Sequence, residues 1–267
     1  MESLIKSGAM DSFGLKRAQM IAILDKLLSK SSKKIDTAQL MLFAPPPPDQ
    51  SVPDIEEWPL IQILNFEKTL LGIYLTGHPL NCYSNIIKYL RRTKISTLYE
   101  QTRNQDIIIC GVLEKVKNIT TRRKKQRMAI IKIEDETQSI EAFVFPRLYE
   151  EVALYLREKS VVLLKGRVEA KDKVPKILTS EIIPIDRAIA NIKQATISIP
   201  GKGLELDKLK KVFIQNKGAT PIIFDLKDPK MQGVKIKTAN NFYISINEKA
   251  LSDLSSVVGE ENLVLTI

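Results

Sequence analysis

Between Asn104 and Arg187 the chain passes through five β-rich stretches broken once by helical spacing, and that order leaves few folds open. Ile107–Lys117 is β-rich with weak alternation. Met128–Asp135 and Ser139–Phe145 follow, joined by a short acidic turn. Arg147–Lys159 changes to helical spacing, and Ser160–Glu169 and Val174–Ile185 return to strand character. Three strands, a helix and two strands is the order expected of an OB-fold, a five-stranded, partly open barrel that binds oligonucleotides. The loop between the first two strands carries Arg122, Arg123, Lys124, Lys125 and Arg127. Like charges this dense repel unless a polyanion is near, so the loop is a candidate nucleic-acid contact; a solvated hairpin tip is the plain alternative.

The strands also suggest which side chains face inward. Ala129, Ile131 and Ile133 are expected to face the interior, and in the next strand Glu141, Phe143 and Phe145 share a face. On an open face Phe143 can stack a base, worth roughly 1–3 kcal/mol in single-strand binders. Phe145, just before Pro146, is expected in the core. Aromatic residues make up only 6% of the chain, too few for a rich stacking platform. Affinity should therefore come mainly from phosphate contacts, with strong salt dependence and weak sequence preference. A formal net charge of +10 suits the same polyanionic partner.

Several chemistries are excluded early. His78 is the one histidine, so a multi-histidine metal site cannot form, and between Gly77 and Pro79 it reads as a turn residue. There is no nucleophile elbow, and Gly201-Lys202-Gly203 lacks the spacing and the Ser/Thr of a phosphate-binding loop. Glu134, Asp135 and Glu136 are expected to form a solvated turn rather than a metal site. No cofactor is expected. Cys82 and Cys110 lie far apart in apolar surroundings and read as buried, reduced thiols, which favours the cytoplasm. No apolar run reaches the roughly 18 residues of a membrane helix, so no membrane partner is expected.

Around the barrel, Leu4–Gly14 packs a helix end and a glycine turn into a few residues. Leu15–Ser29 has helical spacing without an obvious partner, so the chain reads as a piece of a longer protein. Ser29–Val52 is a linker containing Pro45-Pro46-Pro47-Pro48, an extended polyproline segment. Gln39, Leu40, Met41, Leu42 and Phe43 precede it: either a last helical turn, or a docking peptide with Leu42 and Phe43 as anchors and Gln39 as hydrogen-bonding head. Asp54–Leu75 reads as a helix with Pro59 in its first turn and Gly77-His78-Pro79 at its end, and Tyr83–Leu90 as a second helix. Thr196–Ile267 reads as a small α+β unit. Its strands are expected at Thr196–Ile199, Pro221–Leu226, Val234–Thr238, Phe242–Ile246 and Asn262–Ile267, with helices at Leu206–Asn216 and Glu248–Val258. The expected class is thus α+β multidomain: a helical N-terminal segment, a five-stranded OB-fold barrel and a small α+β C-terminal domain.

Leu70–Leu80, reading LLGIYLTGHPL, resembles the segment preceding the OB domain in the bacterial DNA polymerase III alpha subunit, a replicative family C polymerase. Leu4–Gly14 is similar to the end of that family's helix-hairpin-helix region, and Gln39–Phe43 resembles its internal clamp-binding motif. Ile131–Glu136, Ser139–Pro146 and Val161–Glu169 resemble its OB strands, although Gln138 stands where the family turn usually has Gly. The resemblance implies a helix-hairpin-helix end at residues 1–28, a linker with the clamp-binding peptide at 29–53 and a helical connector at 54–103. It implies an OB nucleic-acid-binding domain at 104–187 and a C-terminal domain at 196–267 that contacts the clamp-loader tau subunit. The implied partners are single-stranded DNA, the sliding clamp (beta subunit) and tau. Polymerisation belongs to a palm domain that nothing here resembles, so the chain itself is expected not to be an enzyme. A DNA-independent interaction scaffold remains a rival, as does the anticodon-binding OB domain of a class II aminoacyl-tRNA synthetase. The latter requires a large catalytic domain after the barrel, where only about eighty residues follow.

Overall fold

The computed structural model describes residues 1–24, 26, 28, 52–100, 104–122, 124–169, 174–199, 205–227 and 233–267. It forms two compact units, Met1–Pro79 and Leu80–Ile267. In the first unit, helix α1 (Glu2–Lys6), helix α2 (residues 17–24) and helix α3 (Leu60–Leu71) converge on a buried ion network. The Arg17 guanidinium donates to both Asp11 carboxylate oxygens, at 2.9 and 2.7 Å, and to Glu67 at 3.1 Å. Glu67 is fully buried and also accepts from the Leu75 and Thr76 backbone N–H groups and the Thr76 hydroxyl. Burial alone would raise its pKa, but the donors from Thr76, Leu75 and Arg17 outweigh it and hold the group below the usual carboxylate range. Gly8, at φ +85°, leaves room for this arginine: a Cβ there would lie 2.3 Å from Arg17 Nη2.

Helix α3 is shorter than Asp54–Leu75. Pro59 sits at its N-cap, and Gly72 ends it in the left-handed region with its N–H on the Lys68 carbonyl. The stop is therefore Gly72, five residues before Gly77. Glu57 caps α2, accepting from the Arg17 and Ala18 backbone N–H groups at 2.7 and 3.0 Å.

In the second unit, short helices α4 (Ser84–Ile87) and α5 (Ile95–Glu100) lead into the barrel. Its strands are β1 (Asp106–Thr120), β2 (Arg127–Glu134), β3 (Ser139–Val144), β4 (Val161–Glu169) and β5 (Lys176–Pro184). Helix α6 (Pro146–Val152) lies between β3 and β4, with Pro146 in the first turn where its missing N–H costs nothing. The strands close in the order β1-β2-β3-β5-β4, with β1 antiparallel to both β2 and β4 and only β3–β5 parallel. This is the five-stranded OB barrel.

Ile107, Ile109, Leu113, Ala129, Ile131, Ile133, Ile140, Ala142 and Val144 fill its interior, so the inward assignment of Ala129, Ile131 and Ile133 holds. Ile95 and Leu98 from α5 and Val152 from α6 join the same cluster. Glycines permit the close approaches that closure needs. A Cβ on Gly111 would lie 2.6 Å from Ile133 Cγ1, and one on Gly166 would lie 2.6 Å from the Leu178 carbonyl oxygen. A bulge after Leu113 bends β1, and another at Ser180, opposite Lys165/Gly166, bends β5 beside these positions.

The acidic turn is solvent-exposed at Glu136, Thr137 and Gln138 but buries Asp135. Asp135 is 5% exposed; its carboxylate accepts from the Thr137 and Gln138 backbone N–H groups and from that of Ile95 at 2.7 Å. Glu136 pairs with Arg92 at 2.5 Å. The turn therefore pins α5 to the barrel. Gln138 has no positive φ, and this Asx-type turn needs no glycine there.

Helix α7 (Ile185–Ala190) leads to a second sheet of β6 (Gln194–Ile199), β8 (Ile222–Leu226), β9 (Lys235–Lys237) and β10 (Leu263–Thr266), ordered β10-β6-β8-β9. Helix α8 (Leu206–Gln215) precedes the short strand β7 (Lys217–Thr220), and helix α9 (Glu248–Val258) precedes β10. Phe242–Ile246 is not a strand. Asn240–Phe242 forms a 3-10 turn, and Ile244 makes only isolated bridges to Lys217 and Thr220. The Leu265 N–H donates to the Tyr89 carbonyl at 2.7 Å, and the Thr93 N–H to that of Ile108 at 2.7 Å. The segment from Tyr89 to Thr93 thus bonds to both β10 and β1.

The two cysteines differ from the expectation. Cys82 is exposed, and only Cys110, on β1 beside this covering segment, is buried. Burial pushes the Cys110 thiol up to about 12, although Arg92 opposes the shift. Titration of the native protein with a thiol-reactive disulfide should therefore label Cys82 quickly and leave Cys110 unlabelled even at pH 9. Denaturant should release the second thiol; two fast thiols in the native protein would contradict this packing.

Candidate nucleic-acid interface

β1 and β2 form a long hairpin, paired from Val112↔Glu134 out to Thr120↔Arg127. At its tip the Thr121 N–H donates to the Gln126 carbonyl at 2.8 Å and the Lys125 N–H to the Thr121 carbonyl at 3.1 Å. Lys125 takes a left-handed φ of 53°, turning the chain back into β2. Arg122, Lys124, Lys125 and Arg127 are exposed, and among the described residues none of them is ion-paired. Arg123 lies outside the described residues.

Strand alternation and register place a second set of cations on the outer face behind this tip. Because the bulge follows Leu113, Val116 turns inward, and Lys115, Lys117 and Ile119 face out. Lys115 lies opposite Lys132, Lys117 opposite Ile130 and Ile119 opposite Met128. Across β2, Ile130 pairs with Phe143, which in turn pairs with Leu178 on β5. The outer face thus carries a row of Lys117, Ile130, Phe143 and Leu178. Lys132 is neutralised by Glu114 at 2.8 Å; Lys115 and Lys117 are exposed without an ion-pair partner among the described residues.

Phe145 departs from its expected place in the core. Phe143 is half-buried in that row, whereas Phe145 is 46% exposed and not in the core. Phe145 is the extended N-cap of α6, its carbonyl accepting from the Tyr149 N–H at 2.8 Å. Starting the helix at Pro146 holds the preceding residue outside the barrel. Lys115 and Lys117 were missed by sequence reasoning; the signal was their two-residue spacing, disguised by the bulge. Gln39, Leu40, Met41, Leu42 and Phe43 lie outside the described residues. Among the described residues no cluster of three or more His, Cys, Asp or Glu is placed to hold a metal ion, and no helix is long and apolar enough to cross a membrane. Chemically, the arrangement offers cations and apolar side chains on one sheet face, which suits binding.

Residues 107–185 match the OB-fold nucleic acid binding domain family. Across 99% of its length the chain is 31% identical to the DNA polymerase III subunit alpha of Bacillus subtilis, of which it spans 24%. It is 22% identical, over 99% of its length, to the Escherichia coli subunit, again spanning 24%. The chain therefore spans about a quarter of the length of these curated relatives. Among solved structures, asparaginyl-tRNA synthetase from Pyrococcus horikoshii complexed with asparaginyl-adenylate aligns with 36% of this chain and 22% of that one, at 16% identity and a TM-score of 0.29.

Proposed function

From its homology over nearly the whole chain to DNA polymerase III alpha subunits, we propose that this protein is the non-catalytic C-terminal part of a replicative polymerase, acting in the cytoplasm. In this reading the barrel binds single-stranded template DNA, and Gln39–Phe43 attaches the polymerase to the sliding clamp. The unit after the barrel contacts the clamp loader through tau. Holding the enzyme near the primer end raises its effective concentration there, which favours processivity without new chemistry.

The observation that carries the DNA reading is the basic tip of the β1–β2 hairpin, whose described cations have no ion-pair partner, backed by Lys115 and Lys117 on the same strand pair. Phosphate neutralisation by such cations releases counterions, so binding falls linearly on a log–log salt plot, by about 0.7 per contact for a single strand. A fluorescent oligodeoxythymidylate titrated at several salt concentrations should give a negative slope. Replacing Arg122, Lys124, Lys125 and Arg127 with Glu should flatten that slope by about 2 to 3 and weaken binding at least tenfold. Unchanged affinity and slope would sink the hairpin assignment and favour a scaffold that does not touch DNA.

The clamp reading rests on the order and chemistry of the peptide: a hydrogen-bonding Gln head, then apolar residues ending in Leu-Phe, next to an extended Pro-rich tether. Immobilised clamp should capture the chain, and Leu42→Ala with Phe43→Ala should reduce that capture at least tenfold. Equal capture of the double variant would reject the peptide as the contact.

A further inference from the structure

The outer face of β3 carries a second ring beside Phe143. Ile140, Ala142 and Val144 point into the barrel, so strand alternation sends Glu141, Phe143 and Phe145 outward. The alternation continues through Phe145 because that residue keeps an extended backbone, at φ −68° and ψ 162°, before α6 begins. Among the described aromatic residues of Leu80–Ile267, only Tyr99 and Phe145 are exposed, at 42% and 46%. The Tyr99 hydroxyl is engaged, donating to the Ser139 carbonyl at 2.8 Å. The Phe145 backbone is fixed from both sides, by β3 before it and by the Tyr149 N–H on its carbonyl at 2.8 Å. A ring held in this way meets a ligand with little ordering cost.

Two residues of extended strand set the rings about 6.6 Å apart along β3. Successive bases of one strand in a duplex are spaced by only about 3.4 Å. Bases lying on both rings must therefore be parted from each other, which an unpaired strand allows and a duplex does not. The register neighbours of Phe143 are Ile130 and Leu178, and neither offers a hydrogen-bonding group to a base edge. Lys117 lies opposite Ile130 at the end of that row, and the basic tip lies farther out on the same strand pair. Glu141 bounds the platform on the other side. Its exposed carboxylate, between Lys132 and Lys176 in register, disfavours a phosphate there, and Lys132 is already held by Glu114.

We propose that Phe143 and Phe145 form a two-base stacking step, which makes the barrel select nucleic acid with adjacent unpaired bases while Lys117 and the hairpin tip hold the phosphates. The inference rests on reading the barrel as a DNA-binding site, and it adds the groups that tell an unpaired strand from another polyanion of equal charge. Every base has a face that stacks on an aromatic ring, so the step sharpens the preference for single strands without adding a preference for sequence.

The test uses the full chain and three probes of equal length: oligodeoxythymidylate, an abasic strand with the same phosphates, and a blunt duplex. In anisotropy titrations with the two labelled strands, oligodeoxythymidylate should bind at least tenfold tighter than the abasic strand with the same salt slope, because the phosphate contacts are shared. Phe145→Ala, at an exposed position, and Phe143→Leu, which keeps the row apolar, should each weaken oligodeoxythymidylate at least fivefold. Abasic-strand affinity, salt slope and far-UV circular dichroism should stay unchanged in both. Phe145→Trp reads the contact directly: against the background of Trp58, its emission should be quenched by oligodeoxythymidylate and not by the abasic strand or the duplex. Equal affinity for the two strands, equal weakening of both by Phe145→Ala, or quenching by the duplex would each overturn the stacking step while leaving phosphate binding by the hairpin in place. Binding of neither strand would reject the DNA reading of the barrel and the step with it.

Discussion

The double pairing of β1 governs the second unit. One fifteen-residue strand must meet β2 along its outer half and β4 along its inner half, and no other strand could close the barrel if it failed. The shared strand bends at the bulge after Leu113, and Gly111 and Gly166 admit neighbouring atoms where any Cβ would collide. Closure removes exposed strand edges and converts the aliphatic alternation of β1, β2 and β3 into one packed interior. The acidic turn follows from the same geometry, because once β2 and β3 are paired, Asp135 is positioned to accept the first N–H of α5.

What closure leaves outside is chemically specific. The interior consumes Ala129, Ile131 and Ile133, so alternation sends Lys115, Lys117, Ile119, Met128 and Ile130 to the outer face. The bulge changes the parity of β1, which is how Val116 reaches the core while its neighbouring lysines reach solvent. Among the described residues, the hairpin then projects Arg122, Lys124, Lys125 and Arg127, none of them ion-paired, beyond the barrel. Desolvating such groups inside the protein would be costly, whereas a phosphate backbone can neutralise them at the surface. The result is a mostly electrostatic surface with a modest apolar strip.

Much of this was legible in the sequence, for identifiable reasons. The five barrel strands and their helix carry strong β-branched runs and one change of period, and these local signals agree with the tertiary fold. Other features depended on contacts that no local pattern encodes. Phe145 looks like a strand residue but becomes an exposed helix N-cap because Pro146 begins α6. Phe242–Ile246 has the composition of a strand, yet the Asn240–Phe242 turn and the bridges of Ile244 take up its backbone groups. Asp135 reads as one of three solvent-facing acids, and its burial depends on α5 arriving from forty residues earlier in the chain. The clamp peptide Gln39–Phe43 was readable only as chemistry and resemblance, and it remains a proposal.

The central claim is that single-stranded DNA follows the β1–β2 hairpin and the outer face behind it. Photocrosslinking of the full chain to an iodouracil-substituted oligodeoxythymidylate, with the adducts mapped by mass spectrometry, tests that path most directly. Adducts should fall in peptides spanning residues 115–130 and 143–145, and disappear with added unlabelled strand or high salt. Adducts confined to Met1–Pro79 or to the sheet after the barrel would contradict it.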